Sequence, residues 1–78
     1  MHKVQERLEK YCSDLPGMRI TDCGDSFEVK WRDNFGVLIH KNSDHNEAMV
    51  CWEANPYSPQ EKRVEWSSLS TWLRRNAR

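Results

Sequence analysis

From Ser26 to Lys41 the chain alternates. Phe27, Val29 and Trp31 stand between Glu28, Lys30 and Arg32, the two-residue period of a strand with one dry face and one wet one. Asp33-Asn34-Phe35-Gly36 then supplies turn chemistry: Asp and Asn bond their own backbone, and Gly tolerates positive φ. Val37-Leu38-Ile39 follows, rich in β-branched residues suited to pairing back on the first strand. The pattern predicts a β-hairpin, and the rest of the chain is read around it.

Upstream, residues 3–15 carry Val4, Leu8, Tyr11, Cys12 and Leu15 on one stripe of a 3.6-residue period, with Lys3, Glu6, Arg7 and Lys10 opposite. That spacing predicts an amphipathic helix. Pro16-Gly17 ends it, since Pro cannot continue the ladder. Residues 18–23 read as a first strand with Met18 and Ile20 inward, and Gly24-Asp25 as a short turn. After Lys41, Asn42-Ser43-Asp44-His45-Asn46 is a polar loop. Residues 47–53 form a further strand, with Ala48, Val50 and Trp52 on one face and Met49 and Cys51 on the other. Apolar side chains on both faces predict a strand covered on both sides, or one that pairs outside the domain. The second case includes a homodimer through an edge strand.

Residues 55–66 admit two readings. Ser58-Pro59-Gln60-Glu61 has the form of a capping box with Pro at the first helical position. Alternatively Asn55-Pro56-Tyr57-Ser58-Pro59 is a loop and Arg63-Val64-Glu65-Trp66 a short last strand, which is the preferred reading. From Ser67, an N-cap residue, Leu69, Trp72 and Leu73 recur at helical spacing, and Arg74, Arg75 and Arg78 suit the negative end of the helix dipole. Short connections force antiparallel pairing. The expected fold is α+β: an antiparallel four- to five-stranded meander with an N-terminal and a C-terminal helix packed on it, over Phe27, Val29 and Trp31.

A chain of 78 residues makes one small globular domain, residues 1–78, which on folding hides only about 60–65% of its surface. Hydrophobic residues make up 37% of it and the mean hydropathy is −0.94, so the core must be thin. Four Trp, two Tyr and two Phe compensate by hiding large areas each. Such a core spares no volume for a deep ligand cavity. Three cysteines without CxxC spacing, Cys12, Cys23 and Cys51, predict reduced thiols. The polar start of the chain lacks the apolar stretch of a signal peptide, and no run reaches the roughly 18 apolar residues of a membrane span. A soluble cytoplasmic protein is expected.

The formal net charge is zero, but the charges are uneven. Asp22, Asp25, Asp33, Asp44 and Glu47 fall in an acidic middle, while Lys62, Arg63, Arg74, Arg75 and Arg78 make a basic C-terminal stretch. Each could steer a charged partner, although solvated surface charge would look the same. His40, Asp44, His45 and Glu47 cluster around one loop, with Cys51 beyond. Neither histidine pair nor cysteine has metal-ligand spacing, so no metal is expected. Cys23 or Cys51 with a histidine would be a nucleophilic pair, yet nothing marks an oxyanion hole and there is no phosphate-cradling Gly-rich loop. No enzyme and no cofactor are expected.

Two partner classes remain. A helix–sheet–helix order also occurs in double-stranded-RNA-binding domains; the likeness is one of topology, and no residues carry over. Nucleic acid binding would use Lys62, Arg63, Arg74, Arg75 and Arg78 beside Trp66 and Trp72. The preferred expectation is a protein-binding module whose acidic residues Asp22, Asp25, Asp33, Asp44 and Glu47 meet a basic groove. By analogy of type, small stand-alone chains of this character occur among phage and mobile-element accessory proteins that inhibit host nucleic-acid-processing or defence complexes.

Overall fold

The computed structural model describes residues 2–32, 35–53 and 59–76. Helix α1 (Lys3–Tyr11) is followed by strands β1 (Arg19–Asp22), β2 (Ser26–Arg32), β3 (Phe35–His40), β4 (Glu47–Glu53) and β5 (Pro59–Glu65). A 3₁₀ turn (Trp66–Ser68) then leads into helix α2 (Leu69–Asn76). The strands form one antiparallel sheet in the order β1-β2-β3-β4-β5, each beside its chain neighbours. The α+β meander flanked by two helices is therefore the fold.

Helix α1 starts at His2, whose ring Nδ1 accepts the Val4 N–H at 3.1 Å. It stops four residues short of the expected end, and Gly17 turns the chain with φ +68°. Gly24, at φ +86°, does the same between β1 and β2, a conformation that costs Gly nothing and other residues a good deal. The capping-box reading of residues 58–61 is set aside, because residues 59–65 form a full strand along β4. The extended pairing of Glu47 with Glu65 through Glu53 with Pro59 uses backbone groups that a helix would have turned inward.

The helices both cover one face of the sheet. Val4, Leu8, Cys12 and Leu15 from the first helical segment meet Phe27, Val29, Val37, Ile39, Ala48, Val50 and Val64 from the sheet and Leu69 and Leu73 from α2. Trp66 is the deeply buried tryptophan, 3% exposed. Trp31, Trp52 and Trp72 are only partly buried against this cluster. For Trp31 the cause is a β-bulge: two residues of β2 advance against one of β3 between the Lys30–Gly36 and Arg32–Phe35 pairs. Trp52 and Trp72 stack edge to face with centroids 5.0 Å apart, pinning α2 to β4.

The reading of β4 as an edge strand open to a second copy is corrected. It lies between β3 and β5, and the edges are β1 and β5. Its outward Met49 and Cys51 are half-buried by neighbours on the uncovered face. Among the described residues no helix is long and apolar enough to cross a membrane. Truncation of a buried Trp typically costs about 3–5 kcal/mol, most of the stability of a domain this small. Trp66→Ala should therefore unfold much of the protein, while Trp31→Ala should cost clearly less. Chemical denaturation followed by circular dichroism measures both, and an equal loss at Trp31 would contradict this placement of the core.

Candidate functional site

Antiparallel register determines which loops share an end. Ser26 pairs with His40, so the β1–β2 turn and the β3–β4 loop project from the same end of the sheet. Asp22, Asp25 and Asp44, from the expected acidic set, are brought together there, all exposed. Glu47, half-buried, begins β4 at that end. Asp33 lies outside the described residues.

Two of these carboxylates, those of Asp22 and Asp44, are held in place. Asp22 Oδ1 accepts the Gly24 N–H at 3.0 Å and the Lys41 ammonium at 2.8 Å. Lys41 also lies over the Phe27 ring, 4.8 Å from its centroid, and its backbone N–H donates to the Asp25 carbonyl at 2.9 Å. Asp44 Oδ1 accepts the Asn46 N–H at 2.8 Å. Asp22 and Asp44 thus each bond a backbone N–H two residues ahead, the local turn that short acidic side chains favour.

The loop behind them is anchored on Trp66. The indole N–H donates to the Asp44 carbonyl at 2.9 Å, and the Trp66 backbone N–H donates to the Asn46 carbonyl at 3.2 Å. Arg7 stands over the indole at 5.7 Å, donates to the same Asp44 carbonyl, and touches the His45 ring at 3.4 Å. Arg7, Lys10, Tyr11, His45 and Trp66 line an open cleft of about 740 Å³ beside this end. Sequence reasoning missed Arg7, which lay on the polar face of a helix and carried no signal of a distant partner.

The expected basic set is divided. Lys62, Arg63 and Arg75 flank a groove between β5 and α2. Arg74 instead donates to the Asp14 carboxylate at 2.7 Å and to the Asp14 carbonyl at 3.1 Å, tying α2 to the segment after α1. Arg78 lies outside the described residues.

A third group joins His40 and Cys51, weighed in the sequence as ligands and as a nucleophilic pair, to Glu61, which was not. On the uncovered face of the sheet Cys51 is opposite Leu38 on β3 and Glu61 on β5. His40, two residues along β3, reaches the thiol: Cys51 Sγ lies 3.2 Å from His40 Nε2 and donates to Glu61 Oε2 at 3.7 Å. The three donor atoms lie within 4.8 Å of one another. Burial pushes the Cys51 thiol above its ordinary pKa, and the neighbouring Glu61 carboxylate pushes it further. That is the reverse of nucleophile activation, which needs a stabilised thiolate. No linear spacing could reveal this group, because it is made by the register of three strands. The hint available in the sequence was the outward position of Cys51 on its strand, with His40 beside the same loop.

No protein-family model, no curated protein and no solved structure matches this chain.

The Lys41 ammonium, then the Gly24 N–H, hold the Asp22 carboxyl below its ordinary pKa. A carboxyl depressed in the folded state stabilises the fold above its unfolded value, about 3.9, and loses that contribution as the pH falls through the lower folded value. The stability gap between wild type and Asp22→Asn should therefore be present at neutral pH and close below about pH 4. Urea titrations at a series of acidic pH values measure it, and a gap that persists at the acid end would refute the assignment.

Proposed function

We propose that this chain is a small, non-enzymatic intracellular protein-binding module whose acidic sheet end docks on a basic groove of a larger partner. What supports the reading is the display of Asp22, Asp25 and Asp44 on two adjoining turns, with the Asp22 and Asp44 carboxylates fixed by backbone N–H groups. Carboxylates fixed before the encounter lose less freedom on binding, and complementary charge raises the rate and orients the approach. Where that groove is one that holds nucleic acid, occupying it would inhibit the complex concerned. Lys41 neutralises part of this end through Asp22, which leaves Asp25 and Asp44 as the residues with most to give.

The pair Asp25→Lys and Asp44→Asn tests this. Asn at position 44 keeps an oxygen for the Asn46 N–H, so the turn survives while the charge goes. Binding to the protein that wild type captures from its native host should weaken at least tenfold, mainly through slower association, with little change in melting temperature. Capture unchanged by the substitutions would refute the acidic-end reading.

A second reading rests on Lys62, Arg63 and Arg75 flanking one groove. If that groove tracks a phosphate backbone, Lys62→Ala with Arg75→Ala should lower affinity for RNA or DNA and flatten its salt dependence by about two charges' worth. Gel retardation at several salt concentrations decides it; no retardation at low salt removes this reading. Arg74 is left out of the variant because its loss would loosen α2 from Asp14.

A further inference from the structure

The geometry points to a site for one zinc-class divalent transition ion on the uncovered sheet face, with His40, Cys51 and Glu61 as ligands from β3, β4 and β5. This inference is independent of the acidic end and goes beyond the protein-binding reading.

The donor set is the first argument. An imidazole nitrogen, a thiol sulfur and a carboxylate oxygen are the three protein ligand types that zinc accepts, at about 2.0–2.3 Å from the ion. In a tetrahedral shell of that radius, neighbouring donor atoms stand roughly 3.3–3.7 Å apart. Here the sulfur lies 3.2 Å from the imidazole nitrogen and 3.7 Å from the carboxylate oxygen. All three donors fall within 4.8 Å of one another. Glu61 is exposed, so small rotations of its flexible side chain can close the remaining gap.

Position supplies the second argument. The Cys51 sulfur lies between the His40 imidazole, at 3.2 Å, and the Glu61 carboxylate, at 3.7 Å. Such a grouping serves acyl-transfer chemistry badly, because Glu61 touches the thiol instead of orienting the histidine. A dication suits this grouping. It displaces the thiol proton to solvent and binds the resulting thiolate together with the neutral imidazole and the carboxylate. The ligands also come from three adjacent strands, so bound metal would cross-link the β5 edge to the interior of the sheet. Three protein ligands leave one position for water or for a donor from a partner, the open arrangement found where zinc is not purely structural.

Cobalt(II) is the probe, titrated into the full chain under reducing conditions. One equivalent should produce a thiolate-to-cobalt charge-transfer band, and zinc should bleach it by competition. Cys51→Ser should abolish the band, and His40→Gln and Glu61→Gln should each weaken zinc binding at least tenfold. Cys23→Ser and His45→Gln, at residues away from the group, should leave both readouts unchanged. Zinc should raise the melting temperature of wild type and leave that of Cys51→Ser alone, by mass action on the folded state. Absence of the band in wild type would overturn the site. So would a band that survives in Cys51→Ser, or zinc affinity unaffected by His40→Gln. Circular dichroism confirms that each variant is folded, and since all three ligands lie outside the core, loss of fold in one leaves the other two to decide.

Discussion

The Trp66 indole closes the corner at which the sheet, the β3–β4 loop and both helices meet. The chain leaves β5 on an exposed Glu65 and must turn at once onto the covered face. One 3₁₀ turn achieves this because the Trp66 ring enters the core there. Its two N–H groups both find carbonyls, of Asn46 and Asp44, so the ring is buried without an orphan donor. Arg7 covers it from α1. An eight-residue helix such as α2 has little stability of its own in water. Its place on the sheet depends on this corner, on Leu69 and Leu73 beneath it, and on the Trp52–Trp72 contact.

Among the described residues the two helices cover one face of the five-stranded sheet and nothing covers the other. On that uncovered face strand register decides which side chains meet. Register sets Glu47 directly opposite Glu65, a pairing of like charges that costs stability. It sets Cys51 opposite Glu61 by the same mechanism. Leu38, 39% exposed, is the large apolar side chain that this face leaves to solvent among the described residues.

The elements were legible where one periodicity ruled. Phe27 and Val29 are buried, and Glu47–Glu53 has the bounds that its pattern predicts. Helix spacing found Val4, Leu8 and Cys12, all buried. Legibility failed where a tertiary contact set the outcome. Gln60, Glu61 and Lys62 carry no strand pattern, because on an exposed edge strand only Val64 is buried; backbone pairing with β4 makes the strand. His2 offered no capping signal, since an imidazole is a rare cap, and its ring is steadied by an edge contact with Phe27 at 5.6 Å. At the candidate sites, sequence could sort charges into acidic and basic stretches. It could not say that Arg74 is occupied by Asp14, sixty residues away, or that His40 and Cys51 meet, because neither distance is a property of local chain.

A net charge of zero bears on the acidic end less than the sum suggests. At physiological salt, fields between exposed charges decay over about 8 Å. His2, whose ring lies on Phe27 near Asp22, opens α1, and the Arg74–Asp14 pair lies beyond its other end. The nine residues of that helix span about 13 Å, already more than one screening length. A partner at the acidic end therefore feels the local carboxylates, with the nearby Lys41, Arg7 and Arg63 as corrections. Neutrality removes long-range attraction to any charged body and leaves short-range attraction that depends on orientation. That combination favours docking in one pose over loose accumulation along a polyelectrolyte, which is why the acidic end is a better basis for a protein interface than the basic stretch is for non-specific nucleic acid binding.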